Sequence, residues 1–227
     1  IHKSGTAMYK TRARAQTHFP SVLLTLISII QALALELMWS KIVESDFLWS
    51  WGIQSLLGWG MISACFLGIL QLWVMYSTMV MGFVWQPFLR DSILPFIIGI
   101  QEFMLISLVG SEFSVMWLYV LGSIFVSANW VTHNSLRRAR SNDENAQFFV
   151  TVKPAGLKDF APTIALVLTL VLFGLLIEFT DEREWLPLAA ILFANIVLLL
   201  GLIAMRRLWS SLMGLTENRS ADEDESE

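Results

Sequence analysis

Residues 91–134 read DSILPFIIGIQEFMLISLVGSEFSVMWLYVLGSIFVSANWVTHN. Two apolar runs flank the short polar turn Gly110-Ser111-Glu112, the pattern of a transmembrane helical hairpin, and Glu102 falls near the middle of its first arm. An ionisable side chain at bilayer mid-depth costs at least about 2.5 kcal/mol even on lenient insertion scales. Glu102 therefore needs a partner or a function.

The rest of the chain supports a lipid environment. Of its 227 residues 56% are hydrophobic and the mean hydropathy is +0.62, above the roughly 45–50% apolar content of soluble domains. Seven of the tryptophans (Trp39, Trp49, Trp51, Trp117, Trp130, Trp185 and Trp209) fall near the ends of apolar runs, where an amphipathic ring suits the headgroup boundary. The single cysteine, Cys65, lies within an apolar run, which excludes an intrachain disulfide and reads as a small buried hydrophobe. The basic start, with Lys3, Lys10, Arg12 and Arg14, leads into a full-length span with no small-residue processing site after it, so neither end is expected to be trimmed.

Taken in order, the chain predicts an all-α, polytopic membrane protein with six transmembrane helices. Residues 1–17 form a basic cytoplasmic N-terminus, 18–208 the transmembrane domain and 209–227 an acidic cytoplasmic tail. The spans are expected at about 19–40, 56–82, 92–110, 113–134, 161–179 and 185–206, each near the 20 residues that cross a bilayer. Pro20 is expected in the first turn of the first span, where its missing N–H is no loss. Residues 41–55 read as an outer loop or short interfacial helix, and 135–160 as the longest cytoplasmic insertion, with a short strand or hairpin around Phe148 to Val152. With both termini inside, 13 of the 15 lysines and arginines face the cytoplasm and only Lys41 and Arg183 lie outside. That is the positive-inside bias, and the inner membrane of a bacterium is the expected location.

The first and fifth spans align without gaps as PSVLLTLISIIQALALE (20–36) and PTIALVLTLVLFGLLIE (162–178), each with proline and glutamate sixteen residues apart. Pro95 and Glu112, seventeen apart, allow a looser third copy. The chain is thus open to a reading as three repeated helical hairpins, a known way of building transporter cores. In the second span Gly60, Ala64 and Gly68 form a four-residue stripe suited to close helix packing.

Candidate chemistry gathers at one depth. Counted at 1.5 Å per residue, Glu102, Gln31 and Asn195 all lie about 14–16 Å into the membrane, with Gln101 beside Glu102. Gln31, Gln101, Glu102 and Asn195 are the expected lining of a proton or cation path, and Glu36, farther out on the first span, its outer mouth. No Lys or Arg falls at mid-depth, so a buried Glu102 is expected to carry its proton. His18 and His133, at the cytoplasmic boundary, are weak candidates for a metal or haem site, since neither has the helical-spaced second ligand of a dedicated motif. No metal or other cofactor is expected.

The basic residues Arg12, Arg14, Arg137, Arg138 and Arg140 read as contacts to anionic lipid headgroups, each contributing about 1 kcal/mol near the surface; nucleic-acid binding is the poorer reading. The chain has no GxSxG, HExxH, CxxC, phosphate-cradling or dinucleotide motif, and an enzyme is not expected. A small proton or cation channel or carrier, completed as a homo-oligomer, is the leading expectation. The alternative is a non-catalytic structural, sensing or assembly subunit of a larger membrane complex.

Overall fold

The computed structural model describes residues 2–84, 89–150 and 157–212, and every regular element among them is helical. Six long helices, α1 (His2–Glu44), α2 (Ile53–Gly82), α3 (Leu89–Ser107), α4 (Ser114–Arg140), α6 (Leu157–Thr180) and α7 (Trp185–Leu212), are joined by short links, with a single-turn helix α5 (Ala146–Phe149) between α4 and α6. Five of the long helices are long and apolar enough to cross a membrane. α3 has a shorter apolar segment, Ile93–Ser107, which contains Glu102. Its full 19 residues still rise about 28 Å.

Several boundaries differ from expectation. α1 does not begin at residue 19: its backbone is helical from His2 and Pro20 lies well inside it. Residues 7–16, AMYKTRARAQ, are rich in strong helix formers, and one interior proline removes only one backbone hydrogen bond. α4 likewise continues to Arg140, its last turn carrying Arg137, Arg138 and Arg140 where cations complement the helix dipole. Phe148 and Phe149 belong to α5 rather than to a strand, while Thr151 and Val152 lie outside the described residues, as do the side chains of Arg12 and Arg14 and the tail from 213 onward. Trp117 is fully buried in the core, not at a membrane edge. Trp39, Trp49, Trp51, Trp130 and Trp185 are exposed.

The long helices close into a ring in the order α1, α3, α4, α6, α7, α2, each packed on the next, with lighter contacts across it between α2 and α3 and between α4 and α7. Small residues set the tightest joins. A Cβ added at Gly60 would meet Ile191 Cγ2 of α7 at 2.8 Å, one at Gly99 would meet Ile30 Cγ2 of α1 at 2.5 Å, and one at Gly174 would meet Tyr119 of α4 at 2.5 Å. The predicted stripe on α2 thus splits in use. Gly60 and the fully buried Ala64 are packing positions, but nothing lies within 4 Å of a Cβ at Gly68, which lines a cavity. The three hairpins are not joined equivalently: α1·α3 unites two first arms, α2·α7 two second arms, and α4·α6 one of each.

The ends of the hairpins are tied by polar contacts. Between α3 and α4, Gly110 adopts φ +153°, a conformation side chains disfavour. Between α6 and α7, the Glu182 carboxylate accepts N–H bonds from Leu186 (2.7 Å), Trp185 and Glu184 (both 3.3 Å). These N–H groups, Leu186 foremost, hold Glu182 below its ordinary acidity range. At the opposite end, Asn145 is buried and accepts from Val84 N while donating to Val84 O and Ala139 O at 2.7–3.0 Å. Phe83 packs on Phe148 and Phe149. The start of the 135–160 insertion is thereby folded back against the end of α2.

Candidate functional site

Glu102 lies inside the ring, 3% exposed. Its position follows from α3 itself: one turn earlier, Gly99 has no side chain, so Ile30 of α1 seats directly on the α3 backbone. The residue after Ile30 then reaches Glu102. Gln31 Nε2 donates to both carboxylate oxygens, at 3.2 Å to Oε1 and 3.0 Å to Oε2, and Gln31 is itself only 7% exposed. No salt bridge to Glu102 occurs among the described residues. Its hydrogen-bond partner is a neutral amide, which solvates the carboxyl without neutralising it.

Two cavities meet at this pair. The larger, about 60 Å³, is bordered by Glu102, Gln71, Cys65 and Gly68 and otherwise by apolar side chains of α2, α3, α4 and α7. The smaller, about 10 Å³, is bordered by Gln31, Tyr76, Ile27, Ile30, Leu72, Pro95 and Ile98. On α3 the smaller cavity touches residues 95 and 98 and the larger touches 102, 105 and 106. The smaller cavity therefore lies toward the Asp91 end of the helix and the larger toward the Gly110 end. Gln31 Oε1, Tyr76 Oη and Gln71 Oε1 are buried with no hydrogen-bond partner among the described residues.

The other residues of the expected layer go elsewhere. Gln101 donates to Ser123 Oγ of α4 at 3.0 Å; successive residues are about 100° apart around a helix, so Gln101 and Glu102 face different neighbours. Asn195 donates to Gly60 O and Ile191 O, both at 2.9 Å, and serves the α2–α7 join. Glu36 is exposed on α1. Equal depth did not bring these side chains together, because depth leaves helix rotation undetermined.

At the cytoplasmic end expected from charge, Asp91 in the first turn of α3 pairs with Arg138 in the last turn of α4 through two contacts, Nη2–Oδ1 at 2.6 Å and Nη1–Oδ2 at 2.9 Å. The side chains are only 5% and 15% exposed. Arg138 is thus engaged within the protein, as is Arg140, which lies over the Phe149 ring at 4.5 Å; Arg137 is exposed. His133 packs against Phe160 with ring centroids 4.0 Å apart, His18 is exposed, and no group of three or more potential metal ligands occurs among the described residues. Sequence reasoning missed Tyr76, which borders the smaller cavity with Gln31, and the Asp91–Arg138 pair. Tyr76, a lone tyrosine in an apolar run, carried no signal; the pair carried one, since opposite charges at the two open ends of one hairpin are natural partners.

Compared with family models, curated proteins and solved structures, the chain finds no match.

Proposed function

We propose that the protein is a six-span channel or carrier of the bacterial inner membrane, with both termini cytoplasmic, and that it moves protons by reversible protonation of Glu102. α3 is the sixth span in this reading. The observation that carries it is the carboxyl of Glu102, buried inside the helix ring between two cavities and bonded by an amide. A buried structural carboxyl is ordinarily paired with a cation or held by several donors; one hydrogen-bonded by a single neutral amide can gain and lose a proton without breaking an ion pair. Protons also suit the space better than metal cations. A dehydrated cation needs several oxygen ligands, whereas the larger cavity is mostly apolar apart from Glu102 and Gln71.

The test is proton flux in vesicles containing the purified chain, driven by a pH gradient and read with an entrapped dye. Wild-type flux should fall to the lipid background in Glu102→Gln and be partly retained in Glu102→Asp. Flux unchanged in Glu102→Gln would remove the residue from the mechanism. Absence of flux under any gradient, with a stoichiometric larger protein recovered in mild detergent, would favour a subunit of a membrane complex.

A further inference from the structure

The smaller cavity borders Gln31, the residue bonded to Glu102, and has the size and polar lining to take one water. Tyr76 and Gln31 both border this space and are more than nine-tenths buried, and Tyr76 Oη and Gln31 Oε1 have no hydrogen-bond partner among the described residues. Leaving two such atoms unpaired is costly. The space, about 10 Å³, is roughly the least that admits one water. A water there would accept from the Tyr76 hydroxyl and donate to the Gln31 carbonyl oxygen, satisfying both. The same amide holds Glu102 through its nitrogen, so the site is anchored on the group that covers the carboxyl.

We infer that Tyr76 and one water in this cavity form the proton route between the Asp91 end of α3 and Glu102, with the Gln31 amide as the gate. This rests on the proposal that Glu102 exchanges protons. While Gln31 is bonded to Glu102, the carboxyl borders the larger cavity and is screened from the smaller one. When the amide turns aside, the Tyr76 hydroxyl passes its proton to the water, the water passes one of its own to the Glu102 carboxylate, and Tyr76 Oη is reprotonated from the Asp91 side. Each relay group gives one proton and receives one, so Glu102 alone changes charge.

The test is hydrogen–deuterium exchange at the Glu102 carboxyl, followed by the infrared carbonyl band of the full chain in lipid nanodiscs, at a pH where Glu102 carries its proton; Glu102→Gln identifies the band. Tyr76→Phe keeps the ring and removes the hydroxyl, and should slow exchange about a hundredfold, the scale of a positioned proton-transfer group. Ile98→Phe, which fills the cavity and leaves Tyr76 in place, should slow it similarly and guards against a fault peculiar to the first variant. Exchange as fast as wild type in both variants overturns the route. If exchange slows but wild-type vesicles carry no flux, the route stands and the transport proposal fails. Glu102-dependent flux that Tyr76→Phe leaves unchanged preserves the transport proposal and overturns the route.

Discussion

Removing the Asp91 carboxylate should destabilise the α3–α4 hairpin more than any surface charge change. Asp91 is 5% exposed and holds Arg138, 15% exposed, through two contacts of 2.6 and 2.9 Å. Breaking a buried pair from one side costs about 3–5 kcal/mol, because the remaining charge stays desolvated. Arg138 retains contacts to Asn134 O at 3.3 Å and Ser135 Oγ at 3.5 Å, and its residual exposure allows partial rehydration. The expected cost of Asp91→Ala is therefore at the lower end, about 3 kcal/mol. Arg138→Ala should cost a similar amount, and the double variant little more than either, giving a coupling of about 2–3 kcal/mol. Reversible unfolding of the purified chain in mixed micelles, titrated with a denaturing detergent, measures all four forms. Additive costs, with coupling under about 0.5 kcal/mol, would refute the claim that the two charges are held for one another.

The glycine stripe of α2 should respond unevenly. Gly60→Ala should destabilise by about 1–3 kcal/mol through overpacking on Ile191, whereas Gly68→Ala, with open space before it, should be neutral or slightly stabilising, as helix propensity favours Ala; the same unfolding titration decides. Glu182 should make the start of α7 sensitive to acid. A carboxyl whose acidity is strengthened in the folded state contributes stability that is present above its unfolded pKa and lost as pH falls through its lowered folded one, so amide exchange at Trp185 and Leu186, corrected for intrinsic rates, should speed up on acidification, and Glu182→Gln should abolish that pH dependence.

Much of the fold was legible because hydrocarbon leaves a chain few options. Runs of about 20 apolar residues must be helical there to satisfy their backbone, and polar turns such as Gly110-Ser111-Glu112 mark where helices end. The misread boundaries fall in polar sequence, where apolar length sets no limit and nothing forces α1 to stop at Pro20 or α4 at Asn134. Trp117 was misplaced for a related reason. Proximity to a span end is a one-dimensional property, and burial depends on which face of α4 turns inward.

Reading along the chain was enough to single out Glu102 as an ionisable residue within an apolar run and to pair it with Gln31, because both stand at similar distances from the starts of their runs. That Gln31 reaches Glu102 while Gln101 and Asn195 do not could be seen only once the helices were packed. That selection depends on helix rotation and on close approaches such as Ile30 against Gly99, which arise from packing between segments far apart in the chain. The two cavities beside Glu102, and the placing of Tyr76 on one of them, have the same origin: they are spaces left between helices, and no single helix encodes them.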